Sequence, residues 1–215
     1  MLKSAKEDVM KEKTLFSGNL LKKIIVIVAG SIIAAYGITL ALYAGFGGAT
    51  LAVLWQGISQ TFHISMGMAS FAVAVVMILF ALFYDRKQIH IGTILYQVVY
   101  SVCVDLFANC HVYSEYLWLN LLIMLLGIVL FAAGTGLYAS ASLGRGSYEA
   151  LTFALAEKNN WQVKTVRMVL DALMVIIGVL LGGKFGICTV VTILISGPII
   201  QFVNSKAKKV LRISP

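Results

Sequence analysis

The chain has 215 residues, of which 60% are apolar and only 12% are charged, and its formal net charge is +8. Soluble domains carry about 25% charged residues, so this chain lacks the polar surface that covers a soluble protein of its size. We therefore expect the lipid bilayer to solvate most of its surface.

Six apolar segments follow a basic tail of residues 1–23, and each is long enough to cross the hydrocarbon core of a bilayer as a helix. In chain order the predicted spans are Ile24–Tyr43, Met68–Tyr84, Ile89–Cys110, Leu117–Tyr138, Val166–Gly182 and Gly186–Val203. No A-x-A cleavage pattern closes the first segment, so we expect an uncleaved first span. A second basic tail, residues 204–215, ends the predicted order.

The positions of the basic residues predict the orientation of these spans. With the N-terminus in the cytoplasm, 16 of the 17 Lys and Arg residues flank the spans on the cytoplasmic side, and only Lys184 lies outside. This is the positive-inside pattern. It accounts for the net charge without a nucleic-acid partner, because the charge is spread over the membrane flanks instead of forming one basic surface. We expect a multi-pass protein of the cell membrane with both termini cytoplasmic.

The two halves of the chain share an internal repeat. The segment "AYGITLALYAGFGGATLAVL" (Ala35–Leu54) aligns without a gap to "AAGTGLYASASLGRGSYEAL" (Ala132–Leu151), 97 residues later, with six of 20 positions identical. The repeat divides the chain into residues 24–110 and 111–203. Since each half has three spans, an odd number, the second half enters the membrane from the opposite side. We predict an all-α fold of two inverted-topology repeats, an arrangement common in secondary transporters.

Each half also contains a Gly-rich break followed by a short apolar segment. These segments are Ala49–Phe62 and Gly146–Lys158, which are too short to span a membrane at 1.5 Å per residue. We expect one on each side of the membrane, either re-entrant or interfacial. Because interrupted backbone at membrane depth must be buried in protein or face water, the two breaks are the strongest sequence indication of a site.

This arrangement resembles the YczE/YitT-like group of bacterial integral membrane proteins. The segments that carry the resemblance are "ASLGRGSYEAL" (Ala141–Leu151), "VRMVLD" (Val166–Asp171), "LGGKFGICT" (Leu181–Thr189) and "SGPII" (Ser196–Ile200). The group commonly has a Gly-Pro-aromatic-acid pattern after the break. Here that pattern reads Gly-Ser-Tyr-Glu at residues 146–149, without the proline, and the first-half copy lacks the acid. The resemblance implies a multi-pass protein of the bacterial inner membrane and implies no particular substrate.

Three carboxylates near or within the membrane are candidate site residues. Glu149 either caps the second short helix, because the helix dipole favours an acid in the first turn, or binds a proton or cation. Asp171 lies four residues after Arg167, so the two either form a local ion pair or face a cavity. Asp105 lies in the outer part of the third span with no charged neighbour in sequence, which leaves a functional role and an interfacial position both open.

Other polar residues complete the candidate solute site. Arg145 between two glycines is either one more positive-inside charge or an anion contact and partner for the carboxylates. Side chains that could hydrogen-bond a solute are Gln56, Thr93, Gln97 and Thr189. No catalytic set, metal cluster or Walker pattern is present in the sequence, so we expect no enzyme activity, metal or cofactor.

The leading hypothesis from the sequence is secondary transport of a small solute through a central site between the repeats. The carboxylates favour a cationic solute, and coupling to protons or ions is an open part of this hypothesis. The alternative is a non-transporting membrane protein that binds a partner or regulates a biosynthetic pathway. A wet central cavity favours transport, whereas an interior filled with Leu and Ile favours the alternative. The expected partners are the lipid bilayer and a small solute, and a homodimer is left open.

Overall fold

The computed structural model describes residues 2–110 and 113–211, with side chains from residue 20 onward except at residue 88, and this part of the chain contains α-helices and no β-strand. The described helices are α1 (Leu2–Tyr43), α2 (Thr50–Phe62), α3 (Met66–Tyr84), α4 (Ile91–Phe107), α5 (Leu117–Ser140), α6 (Ser147–Asn159), α7 (Val163–Leu180) and α8 (Ile187–Leu211). A short 3-10 turn, Arg86–Gln88, links α3 and α4. The last residues of the predicted C-terminal tail, 212–215, lie outside the described residues.

Four described helices are long and apolar enough to cross a membrane: residues 20–43 of α1, and α3, α5 and α8. Helix α4 is apolar but has 17 residues. Helix α7 has 18 residues but includes Lys164, Arg167 and Asp171. Many large apolar side chains remain exposed on the long helices, such as Phe83, which is 81% exposed, and Leu194, which is 70% exposed. The chain is therefore an all-helical membrane protein, because only lipid solvates such surfaces favourably.

The two halves have the same order of elements: a long helix, a short helix and two further helices. Both short helices end on a residue with left-handed backbone, His63 (φ 54°) after α2 and Asn160 (φ 53°) after α6. The two breaks also match, since Gly47 (φ 87°) precedes α2 and Gly144 (φ 118°) precedes α6. In each pair the residues lie 97 positions apart. The repeat in sequence thus corresponds to a repeat in backbone conformation.

Helices α1 and α5 pack against each other through glycines. A Cβ atom on Gly30 would lie 2.7 Å from the Gly134 carbonyl oxygen, and one on Gly37 would lie 2.6 Å from the Gly127 carbonyl oxygen. Absence of these Cβ atoms lets the two backbones approach closely. In the repeat, Gly30 aligns with Gly127, and Gly37 aligns with Gly134. The contacts are crosswise, because each glycine of α1 contacts the counterpart of the other one. Crosswise contact means that these two equivalent helices run antiparallel.

This packing predicts the effect of filling the glycine contact. We expect Gly37→Leu to lower the thermal unfolding midpoint of the detergent-solubilised protein, because overpacking a tight contact costs about 1–3 kcal/mol. The matched control is Gly197→Ala, since a Cβ atom there meets nothing within 4 Å. An unchanged midpoint for Gly37→Leu, measured by intrinsic tryptophan fluorescence, would contradict the close approach of α1 and α5.

Candidate functional site

Each Gly-rich break is held by the last helix of the other half. The hydroxyl of Thr93, on α4, donates a 2.6 Å hydrogen bond to the carbonyl oxygen of Arg145 in the second break. The hydroxyl of Thr189, on α8, donates to the carbonyl oxygen of Gly48 in the first break. Gly48 is the counterpart of Arg145, 97 positions earlier. Both threonines are 0% exposed, so they satisfy backbone carbonyls that the breaks leave without a helical partner.

Further hydrogen bonds hold the two breaks in place. The amide of Gly92 donates to the carbonyl of Leu143, and the amide of Cys188 donates to the carbonyl of Phe46, each at 3.0 Å. The Tyr138 hydroxyl donates a further 3.1 Å bond to the Gly144 carbonyl. The breaks are therefore ordered by long-range contacts. Thr93 and Thr189, which the sequence suggested as solute contacts, hold the breaks together and do not line the cavity described next.

A central cavity of about 560 Å³ is lined by the first turns of both short helices. Residues 49–52 at the start of α2 and 146–149 at the start of α6 line it, together with parts of α4, α5, α7 and α8. Its volume is in the range of small-molecule sites. Of the residues predicted from sequence, the cavity brings together Gln97, Glu149, Arg167 and Asp171.

Aromatic side chains form a continuous wall of the central cavity. The rings of Trp55 and Tyr100 have centroids 5.9 Å apart, Tyr100 and Tyr96 are 5.4 Å apart, and Tyr96 stacks on Tyr138 at 4.0 Å. Tyr148 of α6 also lines the cavity. The sequence reasoning missed this wall. The available signal was the spacing of Tyr96 and Tyr100, which puts both rings on one face of α4.

Glu149 lies at the mouth of the central cavity. Its carboxylate folds back over the first turn of α6, since a Cβ atom on Gly146 would lie 3.3 Å from Glu149 Oε2. Among the described residues, no donor hydrogen-bonds this carboxylate. Glu149 lines the cavity and an adjoining space at the same time. The two interpretations of Glu149 are therefore compatible, because a carboxylate beside the first turn of α6 also lines both spaces.

Asp171 has a different environment from Glu149. The Tyr148 hydroxyl donates a 2.7 Å hydrogen bond to Asp171 Oδ1, and the guanidinium of Arg167 lies 5.5 Å from the Tyr148 ring centroid. The Tyr148 hydroxyl also lies 3.2 Å from the Arg167 carbonyl oxygen. These contacts tie α6 to α7 beside the cavity. Asp171 is thus a partnered carboxylate, whereas Glu149 has no such donor.

A second space of about 760 Å³, here called the basic vestibule, adjoins the central cavity. The two share lining residues, including Tyr138, Glu149 and Arg167. Its charged lining residues are Lys87, Arg145, Glu149, Arg167 and Lys208. Four cations against one carboxylate make this space electropositive, which raises the local concentration of anions.

Arg145 and Gln97 have defined contacts. The Arg145 guanidinium lies 3.5 Å from the centroid of the Phe153 ring, and its Nη1 atom is buried without a hydrogen-bond partner. The Gln97 amide donates to the Ser101 hydroxyl at 3.0 Å and accepts from the Ser147 hydroxyl at 3.4 Å. Gln97 is 5% exposed and therefore links α4 to the first turn of α6 at the cavity wall.

Gln56 and Asp105 lie away from the central cavity. Gln56 Oε1 accepts a 2.6 Å hydrogen bond from the backbone amide of Lys184. Asp105 accepts two 2.6 Å bonds, one from the Ser65 hydroxyl and one from the Gly67 amide. Ser65 and Gly67 stand at the start of α3, so the Asp105 carboxylate satisfies that helix end. Within the described residues, no group of three His, Cys, Asp or Glu side chains lies close enough to hold a metal ion.

The contacts of Asp105 predict a separation of stability from binding. We expect Asp105→Ala to destabilise the protein, because a buried amide without a partner costs about 1–3 kcal/mol. Asp105→Asn keeps one acceptor oxygen and serves as the intermediate control. Thermal unfolding gives the first readout and solute binding by the folded fraction the second. Normal stability combined with lost binding would show that Asp105 contacts the solute.

The family of unknown function DUF6198 matches residues 21–205. The chain is 27% identical over 175 residues to the uncharacterized membrane protein YczE of Bacillus subtilis, covering 81% of each chain. It is also 27% identical over 165 residues to an uncharacterized protein of Haemophilus influenzae, covering 76% of this chain and 74% of the relative. An uncharacterized B. subtilis protein, YyaS, is 21% identical over 175 residues. No solved structure matches the chain.

Proposed function

The chain belongs to the DUF6198 family of unknown function, and we propose that it is a secondary transporter of a small solute. The observation that carries this proposal is the central cavity of about 560 Å³ at the junction of the two halves, lined by the first turns of both short helices. Transporters built from inverted repeats bind their solutes at such interrupted helices. A filled interior would have favoured a non-transporting role.

The proposed architecture is six membrane-crossing helices in two inverted repeats of three. The crosswise contacts Gly30–Gly134 and Gly37–Gly127 support it, because equivalent helices that run antiparallel are related by an axis in the membrane plane. Helix α4 is short and α7 carries three charges. A short helix crosses a bilayer that thins locally around it, and a charged helix crosses when its charges face the bundle interior or an aqueous space.

Both termini are proposed to be cytoplasmic, with the basic vestibule on the cytoplasmic side. The clustering of Lys87, Arg145 and Lys208 around one space supports this orientation. Lys184 belongs to the other end of the molecule, where its carbonyl accepts a 3.1 Å hydrogen bond from the Gly48 amide in the first break. In this orientation the central cavity opens toward the cytoplasm.

Alternating access would follow from the two equivalent clamps. In the proposed orientation, Thr93 holds the cytoplasmic break and Thr189 holds the external one. Rocking of one half against the other would loosen one clamp while the other stays closed. Glu149 is proposed as the group that binds a proton or a cationic part of the solute, because its carboxylate lacks a hydrogen-bond donor and lines both spaces.

Transport is tested with purified protein in liposomes. We expect at least one solute from a panel of amino acids, amines, carboxylates and sugars to enter with saturable kinetics, measured by radiolabel uptake with and without a pH gradient. Glu149→Gln should reduce this uptake at least tenfold, because it removes the charge at the cavity mouth. Glu115→Gln, an exposed carboxylate, is the matched control. Absence of saturable uptake across the panel would contradict transport and leave the regulatory alternative.

The proposed orientation is tested by labelling single cysteines in intact cells. In a background without Cys103, Cys110 and Cys188, we expect a membrane-impermeant maleimide to label Lys184→Cys. We expect Lys87→Cys and Lys208→Cys to react only after the membrane is permeabilised. Labelling of Lys208→Cys in intact cells would place the C-terminal helix end outside and contradict the orientation.

A further inference from the structure

The first turn of α2 reaches the central cavity without an anionic partner. Its N-cap residue, Ala49, makes no side-chain capping bond, and α2 has no acid in its first turn. Among the described residues, no acceptor is found for the amides of Thr50, Leu51 and Ala52, since the first bond of the helix is from the Val53 amide to the Ala49 carbonyl. Free amides and the helix dipole together favour a negative group at this end.

The equivalent end of α6 differs in one residue. Glu149 stands in the first turn of α6, and its counterpart in α2, 97 positions earlier, is Ala52. Both ends line the central cavity. The protein therefore supplies its own carboxylate beside α6 and a methyl group beside α2. The α2 end is the place where a negative group has to come from elsewhere.

Two buried side chains give independent support for a ligand at this end. Trp55, 7% exposed, and Tyr100, 3% exposed, both belong to the cavity lining. The indole Nε1 of Trp55 and the hydroxyl of Tyr100 are buried and have no hydrogen-bond partner among the described residues. Buried polar groups without a partner destabilise a protein. Both groups are hydrogen-bond donors whose polar atoms are closed off from the cavity space in this structure, so an acceptor-bearing ligand would satisfy them once the two side chains turn toward it.

We propose that the central cavity binds a small zwitterion, with its carboxylate at the first turn of α2 and its ammonium group at Glu149. The α2 amides, the Trp55 indole and the Tyr100 hydroxyl donate to the carboxylate. The Glu149 carboxylate and the tyrosine rings of the wall stabilise the ammonium group. The basic vestibule attracts the carboxylate toward the cavity. This inference rests on the proposed function and names the solute class of the same site.

The first test is ligand binding to the purified full-length protein in detergent. Thermal shifts are measured with the common α-amino acids, β-alanine, γ-aminobutyrate and glycine betaine, because a ligand that binds the native state raises its apparent stability. Each zwitterion that binds is compared with the amine that lacks its carboxylate and the acid that lacks its ammonium group. We expect both analogues to bind at least tenfold more weakly. No shift with any zwitterion, or equal binding of the amine, overturns the inference.

The second test removes one donor atom at a time. Tyr100→Phe deletes only a hydroxyl that has no hydrogen-bond partner, so we expect this unliganded variant to keep its unfolding midpoint. Trp55→Phe also removes buried ring volume, so we expect a lower midpoint and measure its affinity on the folded protein. Affinity for the zwitterion should fall by about tenfold in each variant, while the binding of the amine analogue changes little. Tyr116→Phe and Trp161→Phe are matched controls, because these side chains are 66% and 61% exposed. Unchanged zwitterion affinity in both cavity variants would exclude the proposed carboxylate position.

The outcomes distinguish this inference from transport itself. Saturable uptake of amines in liposomes, without zwitterion binding, would support transport and overturn the inference that the solute is a zwitterion. Selective zwitterion binding without uptake would support the ligand class and contradict transport.

Discussion

Buried backbone that leaves helical geometry must find its hydrogen-bond partners inside the protein, and this constraint organises the structure. Each Gly-rich break satisfies this constraint by accepting a hydrogen bond from the other half of the chain. Thr93 satisfies a carbonyl of the second break, and Thr189 satisfies a carbonyl of the first. Neither break is complete within its own half. The junction of the halves is consequently the place where both short helices begin and where the central cavity forms.

Near-equivalence of the halves also explains what is asymmetric in the site. The framework keeps its pairs, including Gly30 with Gly127 and the left-handed His63 with Asn160, because close packing and helix termination depend on local backbone geometry. Equivalent residues in the cavity lining are not alike. In the alignment of the two halves, Glu149 corresponds to Ala52, and Trp55 corresponds to Thr152. The proposed solute is asymmetric, so the proposed binding site between the two halves would require divergence at these lining positions.

The two carboxylates of the cavity differ in their surroundings. Asp171 is satisfied by the Tyr148 hydroxyl at 2.7 Å, whereas Glu149 lies between the aromatic wall and an electropositive vestibule. A purely cationic solute, which the carboxylates favoured in the sequence, would have to pass Lys87, Arg145, Arg167 and Lys208. The proposed zwitterion suits both surroundings, because its positive group complements Glu149 at the cavity mouth and its negative group complements the basic vestibule.

The sequence by itself determined that the chain is built from apolar helices and where the two Gly-rich breaks lie, because apolar length and glycine placement act locally. It also singled out Glu149 and Asp171, which line the central cavity. Only the tertiary structure decided which polar residues serve the cavity. Asp105 caps a helix start about 40 residues earlier, Thr93 and Thr189 clamp distant breaks, and Trp55 meets Tyr100 in the aromatic wall. These roles depend on contacts between residues far apart in the chain, which no local pattern of residues records.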